Sequence, residues 1–262
     1  MLARKVIFIF ILFCSTCLAA AEDPIEIILG KNADGTDLGM GLYKPTTDSN
    51  GAAIVFIVSG GMHSGLDVQT NYEPRFLPLV DNGFTVFTVR HTSIRNISDP
   101  QKFIPTIFNQ ASIAYEHIIQ HATEYSIDPQ KIGVLGISSG GVLAYFLALS
   151  ETFSDGSEII VRPKAAVIYA GPSEIRGKFP SLAAINLVSE NDPPVLLIHG
   201  SADDVVPFAN SEKMYSALQN FQVPSELIVI DGEGHNAIRY GSAGEEIYNE
   251  AILRWFTKYI LE

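Results

Sequence analysis

The apolar positions of the chain follow two rhythms. Compact apolar runs recur at Ala52–Val58, Phe84–Val89, Ile132–Ile137, Ala165–Tyr169 and Val195–Ile198, and a last one covers Glu226–Ile230. Runs this short predict strands, and those at Ala52–Val58 and Phe84–Val89 read as buried ones. Between them the spacing turns helical. Ile107, Phe108, Ala111, Ala114, Tyr115, Ile118, Ile119 and Ala122 predict a helix that ends before Asp128-Pro129. Further helices are expected over Glu73–Asn82, from Ser139 to about Ser150, and over Ser211–Phe221. A C-terminal helix, Glu245–Leu261, carries Ile247, Ile252, Trp255, Phe256 and Ile260 as a core face. Near the start, Ile25–Leu29 and Leu38–Tyr43 flank a polar turn and predict a hairpin. Pro45–Gly51 reads as a loop, and Arg90–Thr106, interrupted by Pro100 and Pro105, as irregular. Strands alternating with helices predict an α/β fold: a mostly parallel sheet of about eight strands covered on both faces.

One stretch departs from both rhythms. Lys131–Leu149 passes from strand to helix with only Gly136-Ile137-Ser138-Ser139-Gly140 between them. A strand that turns at once into a helix crowds its own backbone. Glycines two before and two after the turn residue remove the Cβ atoms that would clash. The residue between them is held in a strained conformation with its side chain outward, and here that residue is Ser138.

Composition narrows the picture. The chain has 262 residues, 47% of them hydrophobic, which is enough for one large core and one domain. Arg4 and Lys5, the apolar run Val6–Leu12 and Ala19-Ala20-Ala21 form the pattern of a secretory signal peptide over residues 1–21. Its apolar run is too short to span a bilayer. The expectation is a secreted or periplasmic domain over residues 22–262, with no stable membrane insertion once the leader is cleaved. Both cysteines, Cys14 and Cys17, leave with it, so disulfides and thiol chemistry are excluded from the mature domain. The formal charge of −12 becomes −14 without Arg4 and Lys5. Such acidity argues against a nucleic-acid partner or an anionic membrane surface.

A serine hydroxyl needs a base, and the base needs an acid to orient it. Two strand ends supply candidates. After Val195–Ile198 comes His199-Gly200-Ser201-Ala202-Asp203-Asp204, and after Glu226–Ile230 comes Asp231-Gly232-Glu233-Gly234-His235. Loops past strand ends build sites in open parallel sheets. The expected roles are nucleophile for Ser138, general base for His235 and orienting acid for Asp203, preferred to Asp204 on its place in the motif. An oxyanion needs fixed N–H donors. The amide of Ser139, at a helix N-terminus, and the amides of Gly61 and Met62, in the Ser59–Gly65 loop after an early strand, are the candidates.

With these residues in place, the chain resembles the α/β-hydrolase superfamily. The likeness is strongest to secreted esterases of the BD-FAE (feruloyl and acetyl xylan esterase-like) group and the prolyl-oligopeptidase and dienelactone hydrolase-like groups. It is carried by VFIVSGGMHSG (55–65), EYSIDPQKIGVLGISSGG (124–141), LLIHGSADDVVPFANSEKMYSAL (196–218) and DGEGHN (231–236). The resemblance implies the α/β-hydrolase fold, the triad Ser138, Asp203 and His235, and oxyanion donors at Gly61, Met62 and Ser139. It implies no metal and no organic cofactor. In the oxyanion loop, Ser59, Met62 and His63 replace the histidine, glycine and tryptophan common in such esterases, so the pocket wall differs.

Other features weigh less. His117 and His121 share a helix face without a third ligand, which reads as a solvated face. His63 and His91 end loops near the expected rim, where packing behind the site is favoured over contact with substrate, and Asn96-Ile97-Ser98 is a glycosylation sequon. Only 21 residues separate Gly171 from Pro193, leaving room for a minimal lid. The expected substrate is a short-chain acyl ester or a polysaccharide side-group ester. A serine peptidase or amidase of the prolyl-oligopeptidase type and a non-catalytic binding protein are the alternatives.

Overall fold

The computed structural model describes residues 23–32, 35–45, 47–57, 72–92, 100–153, 155–174 and 183–262. Its centre is an eight-stranded sheet. The strands are β1 (Ile25–Lys31), β2 (Asp37–Tyr43), β3 (Ala53–Ile57), β4 (Thr85–Val89), β5 (Ile132–Ile137), β6 (Ala165–Tyr169), β7 (Val195–Gly200) and β8 (Ser225–Ile230). They lie in the order β1-β2-β4-β3-β5-β6-β7-β8. The predicted hairpin β1–β2 is antiparallel and adds to β4 in the same sense, while all pairs from β4 to β8 are parallel.

Alternation along the strands builds two cores. Val55, Ile57, Val134, Ala166, Ile168, Val195 and Leu197 face one side, and Ile54, Phe56, Leu135, Ile137, Val167, Tyr169, Leu196 and Ile198 face the other. Three helices cover the first side: α2 (Pro100–Gln120), α3 (Ser139–Leu149) and α4 (Ala209–Asn220). The second is covered by the short α1 (Leu77–Val80) and by α5 (Ala243–Phe256). Every residue of β3 and β5 is buried, as doubly covered strands require.

Several elements differ from expectation. The predicted helix Glu73–Asn82 is a 3-10 turn over Glu73–Arg75 followed by the single turn α1. Helix α2 begins at Pro100 rather than Ile107 and carries Pro105 inside it. A proline within a helix costs about 3 kcal/mol. Burial of Ile104, Ile107, Phe108, Tyr115 and Ile118 along the same helix, at roughly 1.5–3 kcal/mol for each large side chain, exceeds that cost. The C-terminal helix ends in a π turn over Thr257–Leu261. Its Tyr248, Ile252, Trp255, Phe256 and Ile260 are buried, but Ile247 is 41% exposed and does not belong to the core face. Among the described residues no helix is long and apolar enough to cross a membrane.

Candidate active site

Ser138 sits between β5 and α3 with φ 53° and ψ −119°, a region that residues with a Cβ seldom occupy. Both sides of the turn hold it there. Its amide donates to the Tyr169 carbonyl at 2.8 Å, and its own carbonyl accepts from the Gly141 amide at 2.9 Å. A Cβ on Gly136 would stand 2.7 Å from the Ala144 Cβ and nearer still to the Gly140 carbonyl oxygen. Gly136 is therefore required by the close approach of strand to helix. Strain of this sort persists only where the surroundings over-determine it, and it clusters at functional sites.

Two neighbouring loops bring the partners. The loop after β7 carries Asp203 and the loop after β8 carries His235. They are clasped together: Ala202 N–H donates to the Glu233 carbonyl at 2.8 Å, and Ser201 N–H to the Ile230 carbonyl at 3.1 Å. The Ser201 hydroxyl donates to Asp231 at 3.1 Å and accepts from the Gly232 amide at 2.7 Å. Gly200 makes this possible, because a Cβ there would lie 2.7 Å from the Gly234 carbonyl oxygen and still closer to that of Glu233. Tyr169 adds a third tie, donating from Oη to the His235 carbonyl at 2.9 Å. Burial pushes its phenol up to about 12, so it remains a neutral donor.

The three side chains meet in a line. His235 Nε2 lies 2.9 Å from Ser138 Oγ, and His235 Nδ1 lies 2.7 Å from Asp203 Oδ2. The carboxylate oxygen only accepts, so the proton sits on Nδ1, and Nε2 is left to accept from the serine hydroxyl. Asp203 is fully buried as a side chain while His235 keeps 16% exposure, so the carboxylate is dry and the imidazole reaches the surface. The other Asp203 oxygen, Oδ1, accepts from the amides of Val205 and Val206, each at 2.8 Å. Asp203 thus both faces His235 and caps the following turn, while Asp204 is exposed.

Ser139 is the first residue of α3 and is 5% exposed. Gly61, Met62 and His63, the sequon at Asn96 and the leader 1–21 lie outside the described residues. His91 is 1% exposed, with Nδ1 3.0 Å from the Thr92 carbonyl, and so is packed inside rather than open to a substrate. His117 and His121 are not a simply solvated face. Their rings stack at 3.9 Å, His117 Nε2 is 2.9 Å from Tyr125 Oη, and His121 Nδ1 is 2.9 Å from the His117 carbonyl. Among the described residues no cluster of three or more His, Cys, Asp or Glu could hold a metal ion. No motif marks His199 as a site residue, yet its Nε2 lies 3.2 Å from Asp203 Oδ2. The signal was present in the sequence, since a histidine closing an apolar strand has to find partners where water is absent.

Comparison with known proteins extends the geometry. Thermogutta terrifontis esterase 2, phosphoramylated by tabun, superposes with a TM-score of 0.78 at 21% identity, covering 93% of this chain and 97% of that one. The chain has the α/β-hydrolase fold. A BD-FAE family model matches residues 40–160, which hold the elbow, and the prolyl oligopeptidase family model matches residues 169–262, which hold Asp203 and His235. The chain is also similar to a truncated carbohydrate esterase from gut microbiota, with a TM-score of 0.73 and 19% identity over 93% of this chain and 99% of that one. The uncharacterized protein YfhR of Escherichia coli O157:H7 is 30% identical over 53% of this chain and 49% of its own length. The chain spans about half the length of the curated relatives it matches.

Proposed function

We propose that this chain is an exported serine esterase of the α/β-hydrolase type that cleaves short-chain acyl esters or ester-linked side groups of polysaccharides through an acyl-enzyme. The observation that carries the reading is the continuous Ser138–His235–Asp203 line, with spacings of 2.9 and 2.7 Å, at a strained elbow. Similarity to solved esterases, one a carbohydrate esterase, supports an ester as substrate. The Arg4–Ala21 leader pattern supports export.

The chemistry follows from the atoms. Ser138 Oγ attacks the acyl carbon while its proton passes to His235 Nε2. Asp203 stabilises the imidazolium and holds its tautomer. The tetrahedral oxyanion is met by the Ser139 amide and by amides of the Gly61–Met62 loop, each worth about 3 kcal/mol. Collapse expels the alcohol, which takes the proton from His235. Water then repeats the sequence, deprotonated by His235, and releases the acid with Ser138 restored.

Ser138→Ala should abolish hydrolysis of p-nitrophenyl acetate and butyrate and abolish labelling by a fluorophosphonate, with an unchanged melting profile. Turnover retained in that variant would sink the assignment. The prolyl oligopeptidase match over residues 169–262 favours one second reading, an amide or peptide bond as the target. Matched ester and anilide substrates of one acyl group separate the two by their kcat/KM.

A further inference from the structure

His199 is the last side chain of β7 before Gly200, with 0% exposure. A fully buried imidazole is costly unless both nitrogens find partners. Here they do. Nδ1 lies 2.7 Å from the Ser211 hydroxyl, at the start of α4. Nε2 lies 2.9 Å from the Val206 carbonyl and 3.2 Å from Asp203 Oδ2. Both neighbours of Nε2 are acceptors only, so Nε2 carries the proton and Nδ1 accepts from the Ser211 O–H. Burial holds the imidazole below its ordinary range, in keeping with a neutral ring. The Phe208 ring packs edge-on at 5.6 Å and closes that side.

The place of this ring in the site is specific. Asp203 Oδ1 is pinned by two main-chain amides, which leaves rotation about that anchor as the remaining freedom of the carboxylate. Oδ2 is the oxygen that faces His235, and it is the one His199 approaches. The same nitrogen lies 2.9 Å from the Val206 carbonyl, so the ring also ties the turn after Asp203 to β7. The titratable groups facing His199 are Asp203 and, through it, His235.

We propose that His199 is a positioning residue for the catalytic relay: its Nε2–H holds Oδ2 of Asp203 in line with His235, and Ser211 fixes the ring that does so. The proposal rests on the reading of Ser138, His235 and Asp203 as the reacting triad. It adds a fourth member that never touches substrate. Without that N–H the carboxylate pivots about Oδ1, the imidazolium loses its partner, and proton transfer from Ser138 becomes harder.

The test compares wild type, His199→Phe and His199→Gln, with active sites counted by fluorophosphonate labelling and kcat and KM measured on p-nitrophenyl butyrate from pH 5 to 9. Phenylalanine fills the ring volume without a donor; glutamine restores an N–H near the Nε2 position. The Phe variant should lose roughly 10- to 10²-fold in kcat per labelled site, in the range of a 1 Å misplacement, with KM within about twofold. Its acid limb should move to lower pH, because a looser carboxylate stabilises the imidazolium less. The Gln variant should recover most of both. Unchanged kcat per site, a limb moved to higher pH, or failure of Gln to outperform Phe overturns the proposal. Should Phe not fold, ¹⁵N spectra of the wild-type imidazoles decide: His199 must be protonated at Nε2 and bare at Nδ1 at pH 7, and the opposite tautomer refutes it. If wild type itself neither labels nor turns over, the esterase reading fails instead.

Discussion

Substituting Gly200 by alanine tests whether the two clasped loops set the rate. No unusual backbone angle is needed at this position, so alanine is barred by space alone. The added Cβ would lie 2.7 Å from the Gly234 carbonyl oxygen, 2.8 Å from the Glu233 carbonyl carbon, and closest of all to the Glu233 oxygen. Ordinary contact begins near ~3.5 Å, so one loop retreats by roughly 1 Å. The retreating segment leads straight into His235, and the hydrogen bond from Ala202 to Glu233 is the first to stretch. A 1 Å error in a catalytic group costs about 10²-fold, or about 2.7 kcal/mol of barrier. Overpacking adds about 2 kcal/mol of lost stability, a fall in Tm of roughly 4–8 °C. Gly232→Ala is the control. Gly232 sits at φ +71° with nothing within 4 Å, so alanine there is strained by about 1 kcal/mol but pushes on nothing. The assay is kcat for p-nitrophenyl butyrate per fluorophosphonate-labelled site, with Tm by calorimetry. Gly200→Ala should lose both activity and stability, and Gly232→Ala stability alone. Equal kcat losses in the two variants, or none in Gly200→Ala, would refute the steric argument.

The remaining predictions concern charge. Asp203→Asn should lower kcat by about 10⁴-fold: the two amides keep the acceptor at Oδ1, so the new NH₂ faces His235, flips its tautomer and leaves Nε2 unable to accept from Ser138. Asp204→Asn, at an exposed position, should stay within about threefold of wild type, and a larger loss would reverse the assignment of the two aspartates. His117 is held below the ordinary imidazole range by burial and by the stacked His121. The unfolded chain therefore takes up this proton more readily, and the associated stability is full above about pH 6.5 and lost as pH falls below it. Tm should drop between pH 7.5 and 5, and His117→Gln should shallow that drop; an identical profile in the variant would exclude the pair as a source of acid sensitivity.

Most of the sheet was legible in the sequence because strands covered on both faces have to be apolar throughout, and β5 and β6 fall on the residues their runs predict. The apolar run at Val195 ends at Ile198, since histidine breaks the pattern, whereas the strand continues to Gly200. Helix α2 is longer than its sequence pattern predicts for a related reason: Pro100 and Pro105 look like breakers until a long buried stripe outweighs them. The pairing of His117 with Tyr125 depends on how the chain turns after α2, which no local pattern encodes.

The elbow belongs to the sequence alone. Gly136, Ser138 and Gly140 follow from the sterics of a strand turning into a helix, which is a matter of neighbours along the chain. The candidates Asp203 and His235 were also visible, as polar residues just past strand ends. What only tertiary structure decided is how they meet. Asp203 and His235 stand 32 positions apart, and His235 and Ser138 97 apart. Their spacing is set by the order of β5 to β8 in the sheet and by Gly200 letting two loops close on each other. The role of His199 was decided there too, because a buried imidazole takes its meaning from the acceptors around it, and those come from Asp203, Val206 and Ser211 only once the chain has folded.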